Sequence, residues 1–307
     1  MKWEKLGMVY KPAGDSEWWK THCMAPTAIL LDENVVRVFI GGWDSNKISR
    51  IGFVDVDANN PLNVLSVSKE PVVDLGIPGT FDDNGVFPGH VSKFNDKYYL
   101  YYTGFQLQTK IPFTNFGGVA VAEENNPDQV KKFGHVPVLD RSNNGTCVRS
   151  GQTVLLENGI YKTWYSGGKD WENVGGKLRQ TYDIYYTESS TPHEFPQSET
   201  LCFARDKSVE HGLGRPNVIR VGDEYKMFYT RRILNMKYTI GYAVSQDGIN
   251  WKRKDDEIGI EHSQDGWDSE MVYFPCVLKV NEDYYMYYNG NNFGESGFGA
   301  ARLLTWN

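Results

Sequence analysis

The sequence predicts an all-β chain folded as a five-bladed β-propeller. Three observations carry that expectation. Aromatic residues make up 14% of the 307, with 19 Tyr and 9 Trp, and they gather in short runs with Val and Ile. Those runs alternate with Gly, Asn and Asp turns, and no long stretch has helical periodicity. One run that closes on a small residue recurs five times: VRVFIGG, YYLYYTG, YKTWYSG, YKMFYTR and YYMYYNG, starting at 36, 98, 161, 225 and 284. A period of about 60 residues suits one blade of a propeller.

Each copy is the second strand of a unit. Before the last four lie an apolar strand and a polar turn: HVSKFND, TVLLENG, NVIRVGD and CVLKVNE. A third strand follows: SRIGFVDVD, GGVAVAE, YDIYYTES, TIGYAVS and GFGAARL. In the fourth unit, SQDGINW from Ser245 has the form of an Asp-box turn. The fifth unit reaches only a third strand, while the N-terminal WEKLGMVYKP is a strand without a neighbour. It is expected to complete the last blade, closing the ring and covering an exposed edge. The whole of 1–307 is then one domain.

Composition narrows function. The formal charge of −7 has no basic run, so nucleic acid and anionic membrane are poor partners. No apolar stretch approaches the roughly 20 residues of a membrane helix, and MKWEKLGMVYKPAG has no apolar signal core, so a cytoplasmic protein is expected. Cys23, Cys147, Cys202 and Cys276 lack paired metal spacing and read as free thiols. No metal or cofactor motif, phosphate loop or nucleophile elbow is visible. Asn144-Gly145-Thr146 matches a glycosylation sequon but reads as a loop.

The innermost strand of each blade lines the channel, so its start is where function is sought. Those starts read THCMAPTAI, FDDNGVFPGHV, CVRSGQTV, GLGRPNVI and WDSEMVYFPCV. They offer His22, Asp83 beside Asp82, Arg149, Arg215, and Glu270 beside Asp268. Converging on one axis they make a pocket of two acids, two arginines and an imidazole. Each has a structural reading too: turn chemistry for Asp83, an interblade ion pair for Arg215 or Glu270, a satisfied core histidine for His22, and a loop role for Asp268.

The set FDDNGVFPGHV, GRPNVI, SQDGINW, GWDSEMVYFP and NGNNFG resembles bacterial five-bladed propeller proteins related to glycoside hydrolase families 32, 43 and 130. In particular it resembles a branch associated with surface-polysaccharide biosynthesis genes. The resemblance implies an axial pocket and a carbohydrate substrate, for which Trp43, Trp171, Asn289 and Asn291 are candidate contacts. It does not carry over catalytic residues. MAPTAI lacks the first-blade Asp of families 32 and 43, and Arg149 stands where their acid Glu is expected.

Glycoside cleavage usually needs one protonated and one ionised carboxyl, about 5–5.5 Å apart for retention or 6.5–9.5 Å for inversion. Glu270 is assigned as acid and Asp83 as base, with the reverse left open. Burial beside Trp267 would suit the acid. Two arginines also suit an anion. The alternatives are a family-130-like phosphorylase holding phosphate on Arg149, Arg215 and His22, and a non-catalytic sugar-binding propeller.

Overall fold

The computed structural model describes residues 1–235 and 237–306. The β-branched and aromatic runs become twenty strands among these residues, with one single-turn helix (Asn291–Gly294) and one 3-10 turn (Asp255–Glu257). The strands fall into five antiparallel groups of four. The first is β2 (Thr21–Leu30), β3 (Val35–Trp43), β4 (Ser49–Asp57) and β5 (Asn60–Val67). The second is β6 (Val86–Phe94), β7 (Lys97–Leu107), β8 (Phe113–Glu123) and β9 (Lys131–Lys132). The third is β10 (Val148–Glu157), β11 (Ile160–Val174), β12 (Lys177–Ser189) and β13 (Thr200–Phe203). The fourth is β14 (Glu210–Val221), β15 (Glu224–Ile233), β16 (Thr239–Ser245) and β17 (Lys252–Arg253).

The last group joins the two ends of the chain. Its order is β1 (Lys2–Tyr10), β20 (Phe298–Thr305), β19 (Asp283–Asn289) and β18 (Tyr273–Val280). β1 runs antiparallel to β20, from Lys2 opposite Thr305 to Tyr10 opposite Phe298. Groups two to four are stitched into one hydrogen-bonded path by short parallel bridges, β8 to β10 and β12 to β14. The first strands contact one another in sequence, β2 to β6, β10, β14 and β18, and β18 returns to β2.

The core lies in wedges between neighbouring groups. Because successive strand residues face opposite sides, β7 sends Leu100 and Tyr102 toward group one and Tyr101 toward group three. Trp164 and Tyr229 fill the next wedge, Phe228 and Met286 the one after, and Val38 and Tyr287 the wedge between the last group and the first. The Asp-box closes as the sequence suggests. Asp247 accepts from the backbone of Ile249 and Asn250, both at 2.8 Å, and Trp164 donates to Gly248 O at 2.6 Å. No helix among the described residues is long and apolar enough to cross a membrane.

One irregularity repeats in the first strand of every group. The register with the second strand breaks at Met24/Thr27, Pro88/His90, Ser150/Thr153, Gly214/Asn217 and Tyr273/Cys276. At four of these breaks a residue takes the left-handed backbone: Ala25 (φ 57), Gly151 (φ 67), Arg215 (φ 48) and Phe274 (φ 51). A bulge of this kind leaves an N–H out of the ladder. The small residue that ends the repeated aromatic run of the preceding group accepts it. Thr103 Oγ1 accepts from Gly151 N at 3.2 Å, Ser166 Oγ from Arg215 N at 3.0 Å, and Thr230 Oγ1 from Phe274 N at 2.9 Å. Asn289 Oδ1 accepts from Ala25 N at 2.7 Å, linking the last group back to the first. In group one the matching position is Gly41, where an added Cβ would sit 3.0 Å from the Phe87 Cβ, so close packing takes the place of an acceptor.

Thr230→Val keeps the shape but removes the acceptor for a buried N–H. It should destabilise the protein by about 1–3 kcal/mol, read as a lower urea midpoint, whereas Thr230→Ser should recover much of that loss.

Candidate functional site: a cationic cavity with aromatic walls

The five bulges surround the head of a cavity of about 400 Å³. Phe87, Gly151, Arg215 and Phe274 line it, with Met24 next to Ala25 completing the set. Residues that follow the small residue by two positions also reach it: Trp43, Phe105 and Arg232. Two long hairpins raise the walls. β7 and β8 bring Phe105, Leu107 and Phe113, while β11 and β12 bring Trp171, Leu178, Arg179 and Gln180. Residues 106–116 and 168–180, the tips of these hairpins, are thus mostly extended strand.

Lys47, Arg179, Arg215, Arg232 and His211 supply the charge and polarity, and among the described residues no Asp or Glu lines the cavity. Arg215 is neutralised by dipoles. Its guanidinium donates to Phe274 O and Pro275 O at 3.1 Å and to Pro26 O at 2.8 Å, with Thr27 Oγ1 beside them. Burial lowers its pKa to about 10. Arg232 is different: its guanidinium lies over the rings of Tyr182, Tyr238, Phe274 and Phe293 at 5.3–5.9 Å, without a carboxylate partner. Among the described residues Arg179 has no ion pair, and its buried Nε–H finds no acceptor. His211 is 1% exposed, and burial, then the neighbouring Arg232, pushes its pKa down to about 3. Its Nε2 meets Tyr238 Oη at 3.1 Å and its Nδ1 is buried without a partner. Trp43 Nε1, Asn115 Oδ1, Trp171 Nε1 and Gln180 Oε1 are likewise buried and unpaired around the cavity. Such a concentration of unmet donors and acceptors beside cations that lack a carboxylate is costly unless water or a ligand meets them.

The structure brings Trp43, Trp171 and Arg215 to the cavity and sends the other expected residues elsewhere. Asp83 stays in its turn, accepting from Gly79 N at 2.8 Å. Asp82 is buried behind it, held by Lys132 at 2.6 Å and Tyr102 at 2.9 Å. Arg149 is fully buried, donating to Asp140 O at 2.8 Å and Pro196 O at 2.6 Å with Glu199 at 3.8 Å. Glu270 is exposed, which removes the desolvation its role as an acid requires. Asp268 is buried by Lys5 at 2.7 Å and Tyr288 at 3.0 Å. Asn289 is used up on Ala25 N and Cys23 O, and Asn291 accepts the backbone N–H groups of Glu270 and Met271. His22 stacks behind Trp43, with centroids 3.9 Å apart, and burial lowers its pKa to about 4. Asp83 and Glu270 miss the cavity because they precede the first strands, which start at Val86 and Tyr273. Asp83 and Glu270 lie four residues before the bulge positions Phe87 and Phe274, and Arg149 two before Gly151. Arg232 was legible in the repeat, where YKMFYTRR carries arginines in place of the usual glycine and its successor.

This is the architecture of the β-propeller glycoside hydrolases. A glycosyl hydrolase from Bacteroides ovatus superposes with a TM-score of 0.74 at 15% identity, covering 98% of this chain and 93% of that one. A GH130 structure, from a family of mannoside phosphorylases that contains glycoside hydrolases targeting β-1,2 mannosidic linkages in Candida mannan, gives 0.69 at 16%, covering 98% and 93%. No family model matches the sequence. The chain belongs to the family of the uncharacterized protein Rv1502 of Mycobacterium tuberculosis, to which it is 31% identical over 303 residues, 99% of each chain. A shorter stretch is 37% identical to the β-1,2-mannobiose phosphorylase of Thermoanaerobacter sp., covering 24% of this chain and 28% of that enzyme.

His211 has a measurable signature. Its pKa is depressed to about 3 in the fold against about 6.5 unfolded, so its contribution is full above pH 6.5 and is lost as pH falls toward 3. Between pH 6.5 and 5 the wild type should lose up to about 2 kcal/mol that His211→Gln does not. Urea unfolding of both at pH 7 and pH 5 checks this.

Proposed function

We propose that the protein is a carbohydrate-active enzyme in which a phosphate-like anion, brought in alone or carried by the sugar, is held by Arg179 and Arg232. The five groups of strands act as the blades of a single propeller domain across 1–307, closed by β1, with the cavity on its axis. The observation that carries this reading is a cavity lined, among the described residues, by arginines without carboxylate partners and by no Asp or Glu. Two-carboxylate hydrolysis by Asp83 and Glu270 has no support in that lining.

Phosphorolysis fits such a lining. A phosphate oxygen bonds to the anomeric carbon as the glycosidic C–O bond breaks, and the leaving oxygen takes the proton that the phosphate brought in. Arginine forks suit the anion by bidentate geometry. Trp43 offers a face for sugar C–H patches and its unpaired Nε1–H offers a donor. The names of the GH130 structure and of the mannobiose phosphorylase fit the same chemistry. All four cysteines are free, which accords with work in a reducing cytosol, for instance in polysaccharide biosynthesis.

Calorimetry with inorganic phosphate and with mannose 1-phosphate tests the anion, and incubation of β-1,2-mannobiose with and without phosphate tests turnover. Arg232→Met should weaken anion binding about 10–100-fold, as for loss of a charge-assisted hydrogen bond. Absence of anion binding would overturn the reading. Phosphate-independent hydrolysis lost in Asp83→Asn or Glu270→Gln would restore the carboxylate pair.

A further inference from the structure

Arg232 stands at the end of an unbroken line of rings. Trp171 meets Phe113 edge to face at 5.2 Å, Phe113 meets Phe105 at 5.2 Å, Phe105 meets Phe87 at 5.4 Å, and Phe87 meets Phe274 at 6.2 Å. Phe274 then lies 5.9 Å from the Arg232 guanidinium. The line crosses from the hairpin of group three, through group two, to the last group. It begins at the mouth, where Leu107 and Leu178 line the cavity yet stand 62% and 47% exposed on two facing hairpins.

A bare sugar does not account for this wall. Each hydroxyl laid against phenylalanine or leucine would lose its water and gain no partner. Exposed leucines beside half-buried rings instead match a ligand that is itself apolar there. The cationic end is equally specific, because Arg179 and Arg232 lack carboxylate partners. A cavity of about 400 Å³ is within the range of small-molecule sites.

We propose that the cavity takes an amphiphilic anion, whose phosphate-bearing sugar head sits at Arg179 and Arg232 and whose alkyl or aryl group lies along Phe105, Phe113 and Trp171 toward Leu107 and Leu178. The head rests on the function proposed above; the apolar group is independent of it. The substrate class is therefore a glycosyl phosphate, or a glycoside cleaved with phosphate, that bears a hydrophobic aglycone. Such a molecule must come from a reaction that joins a sugar to an apolar alcohol or phosphate.

Calorimetry with methyl, butyl, hexyl and octyl phosphate, each below its micelle concentration, and with neutral hexyl glucoside, tests both halves. Affinity should rise about three- to fourfold per methylene along the series. Phe113→Ala and the double variant Phe113→Ala/Leu178→Ser should shrink the ratio of octyl to methyl phosphate affinities at least tenfold, whatever they do to affinity as a whole. A series that binds with one affinity regardless of chain length overturns the apolar subsite and leaves the anion reading standing. A chain-length dependence that persists in the double variant also overturns it, as detergent-like adsorption. Chain-dependent binding of hexyl glucoside with no response to phosphate or Arg232→Met supports the wall and overturns the anion reading.

Discussion

The constraint on which the molecule turns is a single buried N–H, repeated in four of the five first strands. Each first strand must bend where it reaches the cavity, and the bulge that bends it takes one donor out of the ladder. Leaving such a donor unpaired costs about 1–3 kcal/mol. Thr103, Ser166, Thr230 and Asn289 meet that need from the group before, and the last of them reaches back to Ala25 in the first. One hydrogen bond thus performs two tasks: it satisfies the bulge and fixes the spacing between neighbouring sheets. Arg215 reinforces the seam between the first and last groups by gathering carbonyls from both.

Once the bulges are placed, the cavity's character follows from which side chains occupy them. Ala25, Phe87, Gly151, Arg215 and Phe274 are structurally equivalent yet chemically unlike, so the floor is mostly apolar with one arginine held by carbonyls. Polarity is added from outside the repeat. Arg232 replaces a residue that is small, amide or aromatic in the other copies, and Arg179 rides on an elongated hairpin. The acids that a propeller could direct inward are instead spent on Lys132, Lys5 and Tyr288, away from the axis.

Much of this was legible in the residues. The aromatic run ending in a small residue located the second strands, and its terminal Thr, Ser or Asn turned out to have a reason that spacing alone does not reveal. WEKLGMVYKP was recognisable as a strand in need of a sheet because the last unit lacked one. Arg215, sought at a strand start, and Trp43 and Trp171, offered by the resemblance, line the cavity. Asp83 and Glu270 were misplaced because the first strands begin only at Val86 and Tyr273, so both stay outside them, and Arg149 turns into the wedge over Tyr165. The X-Pro pairs Ala25-Pro26, Phe87-Pro88, Arg215-Pro216 and Phe274-Pro275 mark the bulges and were the better guide. Arg179 was hidden because hairpin length is not written in local composition.

The pairing of β1 with β20 has a temporal side. A ribosome makes residues 11 to 297 between these two strands. At roughly 5–20 residues per second, that leaves β1 waiting about 15–60 s for its neighbour. Trp3 and Val9, both buried in the finished wedges, are exposed for that time. The charges interleaved in KWEKLGMVY, at Lys2, Glu4 and Lys5, then serve to keep an unpaired strand from finding the wrong partner before the right one exists.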